Sequence, residues 1–379
     1  MNKLSTKNQI VFVNQSAGYL IIDIINAHID EFEERILLTG FLHPRNNPLD
    51  KTVKIEKLIR YQSNSIFKRI FSWAWALIQI IIIVKFKYPK AHLVLFSNPP
   101  LTICIPFICN NSFDIVVYDI YPDTLVEFGY FKPNNWIIKK WETANRKMFA
   151  KANKIVTLTD GMKNRLSNYV DEIKIKVVPI WTDNAFLKPI KKAENTFLIN
   201  NQLQNKFVVM YSGNMGKSHP VELLIELADY FQESNKICFL LIGGGEKYKS
   251  LEISIQKKEL KNIKILPWQD TLLLPYTLSG ADLAFVTVGS EASDLSIPSK
   301  TYNLMSVGTP ILCVAPKLSA LANLIDSENM GSVFQEDDFL GMVEYINKCI
   351  EDIEFHENLR QNALKASLNY TPLNAHKFL

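Results

Sequence analysis

Residues 207–227 read FVVMYSGNMGKSHPVELLIEL: an apolar run, a loop of small residues, then apolar positions at helical spacing. Strand, small-residue loop, helix is the opening of a parallel α/β unit, in which a ligand's phosphate lies against backbone N–H groups near the helix start. Residues 10–25, IVFVNQSAGYLIIDII, open in the same way. Two such openings, far apart in the chain, predict two sheets.

The rest of the sequence supports that division. At 379 residues the chain exceeds the size at which one core keeps growing, so two domains of roughly 150–200 residues are expected. Apolar strand-like runs alternate with helix-length amphipathic segments, the pattern of parallel sheets covered on both faces. Strands are expected at Ile10–Val13, Arg35–Thr39, Leu93–Phe96, Ile115–Tyr118, Lys154–Leu158 and Ile175–Pro179. After the polar stretch KKAENTFLINNQLQNK, a second set is expected at Phe207–Tyr211, Ile237–Ile242, Ile263–Leu266, Leu283–Val286 and Pro310–Val314. The reading is α/β, with two Rossmann-like doubly wound sheets facing a cleft, where substrates are expected. The boundaries are an N-terminal domain over 1–181, a linker over 182–204 and a C-terminal domain over 205–364.

Charge and cysteine usage narrow the class. The net charge of +4 is too weak a bias to argue for nucleic acid. The five cysteines are scattered, without a C-x-x-C pair, and read as reduced core residues. MNKLSTKNQIVFV lacks the features of a signal peptide, so a cytoplasmic location is expected. One segment departs from the pattern: Ile70–Val84, IFSWAWALIQIIIIV, is almost wholly apolar and flanked by Lys68, Arg69, Lys85, Lys87 and Lys90. Its fifteen residues fall short of the ~20 that cross a bilayer core. It suits either a helix lying in a membrane interface or a buried crossover helix.

Several motifs locate possible chemistry. GNMGKS (Gly213–Ser218) matches the end of a Walker A loop, but Tyr211 stands where the first glycine belongs, and no later strand ends in the required Asp. Gly213 and Gly216 still let backbone approach a ligand, with Asn214 and Lys217 beside them and a helix expected from Pro220. LIGGGEKYKSLE (Leu241–Glu252) ends a strand in glycines, Gly244 among them, without the G-x-G-x-x-G of dinucleotide binding. No Asp-x-Asp, H-x-x-x-H or G-x-S-x-G occurs, which disfavours a carboxylate metal site and the usual hydrolase elbow. A diphosphate would therefore be held by glycine backbone and Lys/Ser donors. In DLSIPSKTYNLMSVGTPIL (Asp294–Leu312), Ser299 is placed to cap a helix that Gly308 ends. The Ser299 hydroxyl, the helix start and Lys300 together suit a phosphate.

Taken in order, these segments resemble a known family. YSGNMGK, FLLIGGGEKYKSLE, NIKILPWQD, LSGADLAFVTV and IPSKTYNLMSVGTPIL are similar to the donor domain of family-4 glycosyltransferases with the GT-B fold, in particular PSK-type bacterial surface-polysaccharide enzymes. FSNPP (96–100), DIYPD (119–123), KANKIVTLTDGMK (151–163) and VVPIWTDNAF (177–186) are similar to segments of the acceptor half.

The resemblance implies a retaining, metal-independent transfer of a sugar from a nucleotide-diphosphate sugar, a UDP-sugar being favoured. Gly213–Gly216 with Ser299 and Lys300 would contact the diphosphate, Leu266–Trp268 would receive the base, and Glu291, Asp294 and Asn303 would lie near the sugar. Ser16, Gly18 and Asn98 would lie on the acceptor side. The terminal segment 365–379 would form a helix crossing back to the first domain. The acceptor would be a polyprenyl-diphosphate-linked saccharide in capsule or O-antigen assembly, reached at the inner membrane leaflet through segment 65–90.

Two departures qualify the picture. Many members carry a pair of glutamates where this chain has Leu295 and Asn303, and an amide cannot act as a base. Transition-state stabilisation is then expected from Gly216, Lys217, Ser299 and Lys300. Asp119 and Asp123 are candidates to position or deprotonate the acceptor, against a plain turn-forming role around Pro122. A nucleotide-sugar epimerase or hydrolase, and an inactive scaffold partnering a transferase, are the alternatives.

Overall fold

The computed structural model describes residues 9–62, 65–127, 129–217, 219–289 and 297–379. The chain divides into two compact units, one comprising the N-terminal part through Ile180 with Pro372–Leu379, the other Trp181–Thr371.

The first unit holds β1 (Gln9–Val13), β2 (Ser16–Gly18), β3 (Glu34–Thr39), β4 (Phe41–His43), β5 (Lys54–Lys57), β6 (His92–Phe96), β7 (Phe113–Val117), β8 (Ile155–Thr157) and β9 (Ile175–Val177). Seven of these form one parallel sheet in the order β5-β3-β1-β6-β7-β8-β9, while β2 and β4 pair beside it. Strands β1, β3 and β6 are almost wholly buried, which explains their continuous apolar runs. The edge strand β5, KIEK, is mostly exposed and was invisible to an apolar-run reading.

The second unit holds β10 (Phe207–Asn214), β11 (Ile237–Gly244), β12 (Ile263–Leu266), β13 (Leu283–Thr287), β14 (Ile311–Val314) and β15 (Gly331–Phe334). All run parallel, in the order β12-β11-β10-β13-β14-β15. In both sheets the chain winds outward one way, then returns to the other side of the first strand. The reversals lie between β1 and β6 and between β10 and β13, so the crevices outside their carboxyl ends are the natural binding places.

Several local expectations are corrected. The helix after Gly216 begins only at Leu223, so Pro220 precedes it and no helix N-terminus abuts the glycine loop. Helix Ser299–Val307 has Pro298 at its N-cap with no side-chain cap bond, so Ser299 does not cap; Gly308 does end it, in the left-handed conformation at φ 71. The last α-helix, Ile353–Ser367, stops before the terminus, and Pro372–Phe378 is a 3-10 turn belonging to the first unit. There the Lys154 ammonium donates to the carbonyls of Phe378 (3.2 Å) and Leu379 (2.8 Å).

The apolar segment is a 22-residue helix, Ile66–Lys87, longer than the fifteen-residue run suggested. Phe67–Lys87 is long and apolar enough to cross a membrane by length and composition, with mean hydropathy 1.7. It buries Ser72, Ala76, Ile80 and Val84, at four-residue spacing, against the first unit. The opposite face leaves Phe67, Phe71, Trp75, Ile78, Ile82 and Phe86 exposed. The buried face fits the crossover-helix reading, and the exposed face is apolar.

Candidate functional site

The carboxyl ends of β10 and β13 gather a site from glycine backbone and one half-buried lysine. Near the end of strand β10 Gly213 sits at φ +154, and β11 runs so close that a Cβ on Gly243 (φ +142) would lie 2.0 Å from the Gly213 carbonyl oxygen. A Cβ on Gly245 (φ +134) would lie 2.8 Å from the Met215 nitrogen. Only glycine lets these two strand ends pack at this spacing. They are tied by Met215 N–H donating to Gly244 O (2.7 Å) and Lys247 N–H donating to Met215 O (3.0 Å).

Lys300, at the start of helix Ser299–Val307, reaches into this arrangement. Its Nζ lies 4.0 Å from the centroid of the Tyr211 ring and 3.4 Å from the point where a Gly213 Cβ would be. Tyr211 is itself fixed, its hydroxyl donating to Asn214 O at 2.6 Å. Burial pushes the Lys300 ammonium down to a pKa of about 7. Among the described residues it forms no ion pair. A buried ammonium against an aromatic face and open glycine backbone favours an anion that restores its charge.

Around it lie polar atoms whose capacity is unused. His219 Nδ1, Thr287 Oγ1 and Thr301 Oγ1 are buried and have no hydrogen-bond partner among the described residues. His219 follows the glycine loop, and Thr287 ends β13. Burial, with the charges of Lys300 and Lys247, holds the His219 pKa low and its ring neutral. Sequence reading passed over His219, Tyr211 and both threonines, because none belongs to a recognisable spacing.

The other donor-side candidates spread outward. Lys217 is exposed and paired with Glu246 at 3.1 Å. Asn214 and Ser299 are exposed, while Gly216 is half-buried. Trp268 is exposed but lays its indole over Gly244, where a Cβ would lie 2.8 Å from Nε1; Leu266 ends β12 nearby. Asn303 is buried, and its Oδ1 accepts from the Thr182 hydroxyl at 2.7 Å. Glu291 and Asp294, with Leu295 and Ser218, lie outside the described residues.

In the first unit the corresponding reversal joins Ser16 and Asn98 through Asn14, whose Oδ1 accepts from Ser16 N–H (2.9 Å) and whose Nδ2 donates to Asn98 O (3.1 Å). Gly18 ends β2, paired with His43. Just beyond β7, the Ser97 hydroxyl accepts from the backbone of Tyr118 (2.9 Å) and Asp119 (3.1 Å). Asp119 shares a cavity of about 20 Å³ with Tyr121, Trp141 and Asn145, and burial raises its pKa. Asp123, by contrast, is bonded by the Tyr169 hydroxyl and lies 3.7 Å from Arg165. The two carboxylates thus sit in different settings: Asp123 is tied into structure, whereas Asp119 forms no ion pair among the described residues.

Comparison with known proteins gives this geometry a setting. Residues 193–366 match the family described as glycosyl transferases group 1. The chain is 29% identical over 177 residues to WcaI of Escherichia coli (strain K12), named as a colanic acid biosynthesis glycosyl transferase, covering 46% of this chain and 43% of that protein. It is 22% identical over 263 residues to WbjE of Pseudomonas aeruginosa, named as a glycosyltransferase, covering 68% and 64%. The chain therefore spans less than two thirds of either relative. The Anabaena protein Alr3699/HepE, solved with UDP and glucose, superposes with a TM-score of 0.69 at 15% identity, over 98% of this chain and 97% of that one. WaaG, a glycosyltransferase involved in lipopolysaccharide biosynthesis, superposes with a TM-score of 0.68 at 15% identity, over 97% and 99%.

Proposed function

We propose, from the premise that residues 193–366 are a glycosyltransferase group 1 domain in a chain of GT-B fold, that this protein transfers a sugar from a nucleotide-diphosphate sugar to a saccharide hydroxyl. The observation that carries the reading is Lys300, half-buried with its ammonium over Tyr211 beside Gly213 and with no carboxylate partner among the described residues. A UDP-sugar is the favoured donor, and retention of configuration the favoured outcome.

In this mechanism the bond between the anomeric carbon and the β-phosphate oxygen breaks while the acceptor oxygen bonds to that carbon on the same face. The acceptor proton passes to the departing phosphate oxygen. Charge growing on the diphosphate is met by Lys300 and by backbone N–H groups around Gly213–Gly216, with no metal ion in the scheme. Asp119 orients the acceptor hydroxyl.

The acceptor is a lipid-linked saccharide of cell-surface polysaccharide assembly. The exposed apolar face of helix Ile66–Lys87, with Lys85 and Lys87 at its end, supports a location at the cytoplasmic membrane face. Thermal-shift measurement against UDP-, GDP- and dTDP-sugars tests the donor reading. Stabilisation by one nucleotide class, lost in Lys300→Ala, is expected; no stabilisation by any of them would contradict it.

A further inference from the structure

The transfer scheme gives no task to His219, whose place beside the glycine loop is fixed through its backbone. Its N–H donates to Gly216 O at 3.2 Å, and its carbonyl accepts from the Val221 N–H and from Lys247 Nζ, both at 2.8 Å. The ring turns toward the loop, so that a Cβ on Gly216 would lie 3.7 Å from His219 Cδ2. At the other glycine of the loop, Lys300 Nζ lies 3.4 Å from the point where a Gly213 Cβ would be. Imidazole and ammonium thus border one stretch of open glycine backbone.

The two groups differ in what they offer. Lys300 has donors only, whereas a neutral imidazole keeps one lone pair. His219 is held neutral by burial first, then by the charges of Lys300 and Lys247, against which a hydrogen bond to the Thr287 backbone acts. The nearby carboxylates are engaged: Glu222 lies 2.9 Å from Lys247 Nζ, and Glu246 lies 3.1 Å from exposed Lys217. His219 Nδ1 is buried without a hydrogen-bond partner among the described residues, as are the hydroxyls of Thr287 and Thr301. A buried polar atom left unpaired costs free energy that a hydrogen-bonding ligand offsets.

Glycosyl transfer supplies a proton that such a lone pair can take. Before transfer the phosphate joined to the sugar carries a single negative charge. Afterwards it is a terminal phosphate, whose second ionisation lies at about pH 6. Its charge therefore grows as the acceptor hydroxyl gives up a proton. A phosphate dianion beside His219 outweighs the lysine charges that oppose protonation and favours imidazolium.

We infer that His219 Nδ1 is the final acceptor of the proton released by transfer, taking it from the departing phosphate oxygen. The acceptor O–H bond breaks as a phosphate O–H bond forms; that bond breaks in turn as N–H forms at His219, its electron pair staying on the phosphate oxygen. The diphosphate is left fully ionised between the Lys300 ammonium and the imidazolium. The proton passes to solvent when the nucleoside diphosphate leaves. This rests on the glycosyl-transfer reading for its place in a reaction, but the proton acceptor can be tested without turnover.

Proton uptake on UDP binding is measured calorimetrically at pH 6.5 in buffers of different ionisation enthalpy. The chains compared are Lys300→Arg alone and Lys300→Arg with His219→Gln or His219→Asn. Arginine stays charged and removes the titration of residue 300, while the amides form hydrogen bonds without titrating. The chain that keeps His219 is expected to take up at least about half a proton more with UDP than either amide variant, and no more than they do with UDP-glucose. Equal uptake with UDP overturns the assignment. So does loss of UDP binding in both amide variants with far-ultraviolet dichroism unchanged, which makes His219 a binding contact. In turnover, each amide at position 219 of the otherwise unaltered chain is expected to lower kcat at least about tenfold, to keep KM for the donor within about threefold, and to abolish the decline of kcat toward acid pH. Unchanged kcat with that decline kept overturns the role of His219 and leaves transfer standing. Histidine-dependent uptake without transfer from any sugar nucleotide upholds the proton acceptor while removing the transferase reading.

Discussion

Lys300 stands over Tyr211, its ammonium 4.0 Å from the ring centroid, in space that a side chain at position 213 would crowd. Burial holds the Lys300 pKa down to about 7, so the unliganded lysine is partly neutral in neutral solution. A bound diphosphate favours the protonated form and raises that pKa. The sign follows: nucleotide affinity falls as pH rises through 7. Calorimetric titration with UDP between pH 7 and 9 is expected to show a weakening of up to roughly tenfold per unit. In Lys300→Arg, which stays charged, the profile flattens.

Gly243 supports the same arrangement from the neighbouring strand. Ala at this position would place its Cβ 2.0 Å from the Gly213 carbonyl oxygen at a φ of +142. Backbone on both sides must shift. Gly243→Ala is expected to cost at least about 2 kcal/mol in denaturant unfolding and to weaken UDP binding together with stability.

Asp119 and Asp123 separate by opposite readouts. Asp123 is bonded by the Tyr169 hydroxyl and lies 3.7 Å from Arg165, so Asp123→Asn should lower stability by about 1 kcal/mol. Asp119 has a raised pKa, meaning that its carboxylate form opposes folding at neutral pH. Asp119→Asn should leave stability at pH 7 unchanged or higher, the difference vanishing as pH falls below the usual carboxylate range. Its turnover should fall by roughly 10²–10⁴-fold with donor affinity retained.

Helix Ile66–Lys87 offers a test on membranes. Phe71 and Trp75 are 63% and 47% exposed and stack on each other with centroids 6.5 Å apart. Replacing both by Ser is expected to reduce partition onto anionic vesicles at least tenfold while leaving far-ultraviolet dichroism unchanged, since the buried face of the helix is untouched.

The legible part of the fold was the buried part. Strands such as β1 and β6, covered on both faces, wrote continuous apolar runs, while exposed β5 and half-buried β15 did not. At the carboxyl ends of β10 and β11, composition and order singled out Gly213 and Gly244, and Lys300 on the later helix. Tyr211 was not singled out, and it entered the sequence reading only as the residue that broke a Walker match. Its role depends on Lys300 arriving from a helix far along the chain, which no local spacing records. Asn303 shows the same limit, since its buried bond to Thr182 joins segments distant in sequence.

The most direct test of glycosyl transfer is a radiolabelled-sugar assay with UDP-sugars and a lipid-linked saccharide acceptor on membranes, comparing the unaltered chain with Lys300→Ala. Transfer to the lipid fraction is expected, reduced by at least roughly 10²-fold in the variant, as for loss of one preorganised charge donor. Transfer at an equal rate in Lys300→Ala, or none from any sugar nucleotide that the protein binds, would contradict the account.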